Sequence, residues 1–277
     1  MMQKSSLIPV LLVFLLAAAC KPLPFIPSET ETGKETAQEN PSNPGTASSP
    51  KELEEQYLLA AYTFNGQNAD CLRPLEWDGV TVGDPQFISD TPDGTGYALF
   101  LNGMKQQFVN IPYNFFQGLN QFSITLWVKD IYTGSVFTGI HTGHNRCLQM
   151  HFPRIYFAAD GKVSFCINNV YSTLDGAPAF EYSYASIQSD AWHHIAVTVY
   201  ASSEYAPATV KLYVDGSLCG TMSDVYFNHS NEVTKIQLGG NGDGDFPVWF
   251  SGKIDNVNVY SAALSADVVA YIYQNKL

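Results

Sequence analysis

Residues 191–220 read AWHHIAVTVYASSEYAPATVKLYVDGSLCG, and the alternation in this stretch decides the fold. Ile195, Val197 and Val199 share one face, and Trp192, Ala196 and Tyr200 take the other, as the two-residue period of a β-strand requires. Both faces carry bulk, so neither side of this strand is simply solvated. Val210 to Val214 form a second apolar run, followed by Asp215-Gly216 and then Ser217-Leu218-Cys219. Asp-Gly between two such runs predicts a hairpin, because both central residues of a type I′ turn need positive φ. The stretch therefore reads as neighbouring strands of one antiparallel sheet.

The pattern extends in both directions. Tyr57–Phe64 reads as a first strand ending at the turn Asn65-Gly66, and a polar, glycine-containing stretch then runs to about Gly96. Tyr97–Leu101 and Gln107–Ile111 are short strands around Asn102-Gly103. Phe122–Lys129 alternates cleanly: Phe122, Ile124, Leu126 and Val128 face one way, and Ser123, Thr125, Trp127 and Lys129 the other. Val136–Ile140, Leu148–Phe152, Ile155–Ala158, Val163–Ile167, Lys235–Leu238 and Ile254–Tyr260 follow, with Asp160-Gly161 as a turn. Only the end reads as helical, where Ser265 can cap Ala266–Gln274 with Val268, Val269 and Ile272 on one side. Many short strands with Gly and Pro turns predict an all-β fold, a two-sheet antiparallel β-sandwich with a short C-terminal helix.

Several segments carry a family resemblance. LLAAYTFNGQNAD, ALFLNG, FSITLWVKD, AWHHIAV, VKLYVDG and FSGKIDNVNVYSAALS occur in that order. Together they resemble the LamG-like jelly rolls of the concanavalin A-like lectin superfamily, from the opening strand to the closing G-K-I-D-x-V-x-[IV]-Y-x-x-A-L-S. The resemblance implies a jelly roll with one concave and one convex sheet, and a role in recognition.

The amino terminus reads differently. Lys4 precedes the apolar run Leu7–Ala19, which is too short to cross a bilayer of about 30 Å, and small residues lead into Cys20. This is the layout of a secretory signal. Leu16-Ala17-Ala18-Ala19-Cys20 resembles a bacterial lipobox, which makes Cys20 the lipidated residue; the alternative is an ordinary signal with an incidental cysteine. Residues 20–51 are rich in Pro, Ser, Thr, Glu, Gly and Asn and are expected to be a tether, spanning roughly 30 Å if flexible. The expected organisation is a signal at 1–19, the lipidated cysteine and tether at 20–51, and one jelly-roll domain at 52–277. The expected location is the bacterial cell envelope, through a lipid anchor in the outer membrane with either face possible. Lys21-Pro22 lacks the acidic run that resembles a surface-export signal in Bacteroidetes lipoproteins. The chain carries 14 Lys plus Arg against 26 Asp plus Glu, a net charge of −12, which excludes the phosphate neutralisation that nucleic-acid binding needs.

Catalysis finds no support in the motifs. Glycosidases on this fold use E-x-D-x-x-E to flank the bond they cleave with two carboxylates, and Glu181, Glu204 and Glu232 are scattered. No enzyme is expected. The resemblance does imply a structural Ca²⁺: Asp255 shares alternation with Val257 and Val259, and an ionised carboxylate on an apolar side needs a partner. Asn65, Asp70 and Asp255 are the matching ligands, and oxygen-only ligation suits a hard cation. The other reading is that Asp255 accepts main-chain N–H groups without an ion.

Asn241, Asp243 and Asp245 have the spacing of a calcium loop, but Phe246 stands where an EF-hand has its turn glycine and Gly252 where it has its glutamate. A solvated hairpin loop is the other reading. His141, His144, Cys147 and His151 form H-x₂-H-x₂-C-x₃-H, a set of zinc-type ligands that can equally line a polar groove. His193 and His194 are adjacent on a strand and cannot share an ion. Cys71, Cys147, Cys166 and Cys219 allow three disulfide connectivities or none, and the Asp160-Gly161 hairpin disfavours Cys147–Cys166. Sugar rings stack on exposed aromatics, for which the loops offer Tyr113, Phe115 and Phe116; Tyr182 and Tyr184; Tyr226 and Phe227; Phe246 and Trp249. The favoured ligand set is Asn241, Asp243, Asp245, Phe246 and Trp249. The expected partner is a glycan, with an envelope or extracellular protein as the alternative.

Overall fold

The computed structural model describes residues 48–73, 77–141, 151–157, 163–166, 181–183, 187, 190–203, 206–225, 233–240 and 249–277. They fall within one compact unit, Thr46–Leu277. In chain order the elements are α1 (Pro50–Tyr57), β1 (Leu58–Tyr62), β2 (Val80–Val82), β3 (Gln86–Ile88), β4 (Ala98–Leu101), β5 (Phe108–Ile111), β6 (Gln121–Lys129) and β7 (Gly134–His141). Next come β8 (His151–Phe157), β9 (Val163–Cys166), β10 (Glu181–Ser183), β11 (His193–Tyr200), β12 (Ala208–Val214), β13 (Ser217–Val225), β14 (Val233–Leu238), β15 (Gly252–Tyr260) and α2 (Ala266–Asn275). The strands make two antiparallel sheets. The first runs β13-β12-β11-β6-β15-β4-β3, with β1 also paired to β15; the second runs β10-β9-β8-β7-β14-β5-β2.

The decisive stretch behaves as its alternation predicts. Ile195, Val197 and Val199 of β11 lie opposite Leu126, Ile124 and Phe122 of β6, and all six are buried in the main core. Each such side chain contributes roughly 1.5–3 kcal/mol by leaving water. On the other face Ala196, Tyr213 and Tyr260 pack against Val268, Val269 and Ile272 of α2. That explains the bulk on both sides of β11: one face meets the second sheet, the other a helix. Trp127 also lies on the helix side, stacked on Tyr273 at 5.6 Å, and its Nε1 donates to Leu277 O at 3.1 Å. The hairpin turn has Asp215 at φ 50° and Gly216 at φ 75°, both positive as type I′ requires.

Four expectations need correction. α1 is a helix where the sequence reading had helix only at the C-terminus. Ser49 caps it, accepting from Glu52 N while Glu52 reaches back to Ser49 N, with Pro50 in the first turn; this capping box was readable in S-P-K-E. β2, β3 and β10 are strands of three residues, too short to carry a readable period. Within the described residues, β8 continues through Pro153 as one strand where two were expected. Finally, β15 is irregular between Asp255 and Asn258, with Asn256 at φ 43°. Ile254, Val257 and Val259 join the main core, while Asp255 pairs with Trp127 of the helix side. The extra residue of the bulge breaks the alternation that had put Asp255 on the face of Val257 and Val259.

In the second sheet Val109, Ile111, Phe137, Ile155, Phe165, Ile236 and Leu238 fill the core. The residues between them take the outward face. One cross-strand row there runs Val80, Asn110, Gln237 and Thr138 from β2 to β7.

Candidate functional site

The outward face of the second sheet combines an open aromatic and apolar strip with a polar row. Toward its β2 edge Val80 is 59% exposed and Val82 37%. Phe108, one position beyond core Val109, brings its ring to 5.3 Å from Trp249. The place of Trp249 is set by glycines. A Cβ on Gly240 would stand 2.7 Å from its ring, and one on Gly134 (φ 116°) 2.3 Å from its carbonyl oxygen. Trp249 also bridges Ser135 in parallel. Inward from this strip, Thr138 and Gln237 are buried, and Asn110 Oδ1, Thr138 Oγ1 and Ser135 Oγ have no hydrogen-bond partner. Rigid rings beside an exposed apolar strip suit a ligand with C–H faces.

Of the favoured sequence set, Trp249 is on this face, and Asn241, Asp243, Asp245 and Phe246 lie outside the described residues. Phe115 and Phe116 lie in a loop as expected but are buried in the core, which corrects their reading as aromatics open to a sugar: the loop folds them inward against Phe122 and Trp77. Tyr113 stays partly exposed, stacked on Trp77 at 4.0 Å. The side chains of Tyr182, Tyr184, Tyr226 and Phe227 lie outside the described residues. Sequence reasoning missed Phe108, Asn110, Thr138 and Gln237. For Phe108, Asn110 and Gln237 the signal was present in FVNI and KIQL, where amide side chains alternate with β-branched and leucine residues.

The cation corner lies where β15 changes partner, from β4 before the bulge to β1 after it. Asn65 Oδ1 accepts from Tyr97 N at 3.0 Å, and Asp255 follows the Ile254–Leu99 pairing, so the segment before β4 connects the two. Asp255 is 3% exposed and accepts from Asn256 N at 2.8 Å. Burial pushes its carboxyl up to about 8, against that hydrogen bond, and Asp93 adds to the rise. Hydrogen bonds from Thr95, and from Thr91, hold Asp93 below the usual carboxylate range. One raised and one lowered aspartate is the split of an acid–base pair, but Asp255 offers a substrate almost no access. Asp70 is exposed and accepts from Asn68 Nδ2. Among the described residues no group of three or more His, Cys, Asp or Glu side chains is poised for a metal.

His144 and Cys147, and the side chains of His141 and His151, lie outside the described residues; on the backbone Ile140 stands opposite His151. His193 Nδ1 is 2.8 Å from Asp215 Oδ2. His194 is fully buried between Trp127 and Tyr273, with neither ring nitrogen hydrogen-bonded. Burial pushes its pKa down to about 3, against Asp215 and with help from Lys276. Both are structural positions, one paired and one in the helix-side core. The thiol of Cys71 meets Arg73 O and that of Cys219 meets Ser217 O.

A sequence profile described as Laminin_G_3, concanavalin A-like lectin/glucanases superfamily, matches residues 101–270. No curated protein matches the chain. Among solved structures, domain 4 of AbnA, a GH43 extracellular arabinanase from Geobacillus stearothermophilus, in complex with arabinotriose, is similar with a TM-score of 0.56 and 20% identity over 79% of this chain and 98% of that one. The binding domain of botulinum neurotoxin DC in complex with SialylT is similar with a TM-score of 0.54 and 12% identity, over 81% of this chain and 52% of that one. A Trypanosoma rangeli sialidase in complex with the inhibitor DANA is similar at 0.53 and 11%, over 78% of this chain and 32% of that one. The chain thus spans about half of the toxin binding domain and a third of the sialidase. At these identities the likeness is one of fold.

Proposed function

The chain belongs to the concanavalin A-like lectin/glucanases superfamily, and from that premise we propose that it is a non-catalytic binding module whose ligand is a carbohydrate. The observation that carries this reading is the Phe108–Trp249 ring pair next to exposed Val80 and Val82 on the outward face of the second sheet. Sugar C–H faces stack on such rings. The arabinotriose bound by the arabinanase domain and the SialylT bound by the toxin domain support a glycan as the first class to test. The test is a glycan array on the purified full chain, with and without Ca²⁺, followed by titration of Trp249→Ala. Binding to a defined glycan that weakens in the variant supports the reading. A blank array from folded protein sinks it.

A protein partner is the second reading. It is favoured by exposed Leu72 and Val80 near the Trp77–Tyr113 stack, and by a toxin binding domain of the same fold in complex with rat synaptotagmin II. A blank array with capture of an extracellular polypeptide favours it. We further propose that a structural Ca²⁺ takes Asp255, Asn65 and Asp70 as ligands, where it would neutralise the buried carboxylate and hold the corner together. The module is proposed to sit in a bacterial envelope, held by a lipid on Cys20. Metabolic labelling with a fatty-acid analogue, abolished by Cys20→Ser, tests the anchor.

A further inference from the structure

We propose a second carbohydrate-contact site at the end of the sandwich where β6 crosses to β7: Tyr132 stacks on a neutral sugar, and the neighbouring Asp90, Asp130, Lys129 and Lys253 bind its hydroxyls. This rests on the carbohydrate reading above and extends it to another surface. Tyr132 is 74% exposed, more than any other aromatic among the described residues. A free ring usually hangs on a mobile loop, but this one stands on a tied turn. Tyr132 N donates to Ser251 O at 3.0 Å, Ser251 N to Thr133 O at 3.2 Å, and Thr133 Oγ1 to Phe157 O at 3.0 Å. The turn is bounded by Asp130 at φ 52° and Gly134 at φ 116°. A ring with its backbone already ordered loses little freedom on binding, so its stacking reaches the affinity.

The polar half of the site is equally prepared. Lys253 Nζ lies 2.5 Å from both Asp90 Oδ2 and Asp130 Oδ2, Lys129 Nζ lies 2.9 Å from Asp90, and Trp192 Nε1 donates to Asp90 Oδ1 at 3.1 Å. The Asp90 and Asp130 side chains remain 37% and 43% exposed. Each therefore holds a fixed orientation and still presents surface to a hydroxyl donor. Burial raises the Asp90 pKa, but the bonds from Lys253, Lys129 and Trp192 outweigh it and hold the group at about 2, so it stays an acceptor at any ordinary pH. Two carboxylates and two ammonium groups cancel in charge, which favours a neutral sugar over a sialylated or sulfated one in a chain of net charge −12. Met104, 96% exposed, flanks the site, because Gly103 N donates to Ser251 Oγ at 2.8 Å.

The experiment titrates the full chain with neutral and sialylated glycans by calorimetry, comparing wild type, Tyr132→Ala, Tyr132→Phe and Trp249→Ala. Tyr132→Ala is expected to weaken binding of a neutral glycan at least tenfold with an unchanged melting temperature, and Tyr132→Phe to stay near wild type. Binding by Tyr132→Ala within twofold of wild type, while Trp249→Ala loses it, overturns this site and leaves the carbohydrate reading standing. Selective binding of sialylated glycans overturns the neutral-ligand assignment. No glycan binding by wild type overturns both. Asp90→Asn is a secondary variant, since Asp90 ties β6, β15 and Trp192 together and its loss can unfold the region; the tyrosine variants then carry the test alone.

Discussion

Replacing Asp255 with asparagine should change how stability depends on pH, and the direction follows from burial. In the unfolded chain the carboxyl ionises near its ordinary 3.8; in the fold it does so at about 8. Between these values the folded state holds a proton that the unfolded state has released, so stability falls as pH rises. The contribution is absent below about pH 4 and complete above about pH 8. About four units at roughly 1.4 kcal/mol each set an upper figure of about 6 kcal/mol. Asparagine fills the same space and cannot ionise. In EDTA, Asp255→Asn should match wild type below about pH 4 and exceed it by several kcal/mol at pH 9, read from urea unfolding midpoints. For a domain of this size each kcal/mol moves the melting temperature by about 2–4 °C, so calorimetry resolves it as well. A bound cation reverses the sign, because it selects the ionised carboxylate: Ca²⁺ should raise the wild-type melting temperature at pH 8 and leave the variant unmoved. Parallel pH profiles for the two proteins in EDTA would refute the argument that this carboxylate is the strained group.

The remaining predictions concern other parts of the sandwich. His194 has a folded pKa of about 3 against 6.5 unfolded, so its contribution is intact above pH 6.5 and is lost as pH falls toward 3; His194→Leu should flatten the acid limb of a stability–pH curve, and an unchanged limb counts against it. Gly134→Ala places a Cβ 2.3 Å from the Trp249 carbonyl at φ 116° and should cost about 3 kcal/mol or more, with Trp249 fluorescence shifted toward that of a solvated indole. Ser49→Ala removes the capping box of α1 and should lower stability by about 1 kcal/mol; an unmoved urea midpoint would mean that α1 contributes little to the cooperative unit.

Much of this protein was legible in one dimension, and the division between what was and was not has a physical cause. Alternation in β6, β11, β12 and β15 and the Asp215-Gly216 turn sufficed for an antiparallel sandwich, because strand period and turn chemistry are local properties. The tryptophan on the polar side of β6 already implied a cover, and α2 supplies it. Three-residue strands such as β2 and β3 were not legible, since so short a run carries no period and forms only against a longer neighbour. Asp255 marks the sharper limit. Its type suggested a buried carboxylate, but its face depends on a bulge at Asn256 that arises where β15 leaves β4 for β1. The candidate site divides in the same way. Trp249 could be picked out as an aromatic near a turn, whereas Phe108, Asn110, Tyr132 and Asp90 gain their meaning only from the strands and turns brought beside them. A side chain's chemistry is written in the chain; its neighbours come from pairings between residues more than a hundred positions apart, and tertiary packing alone decides those.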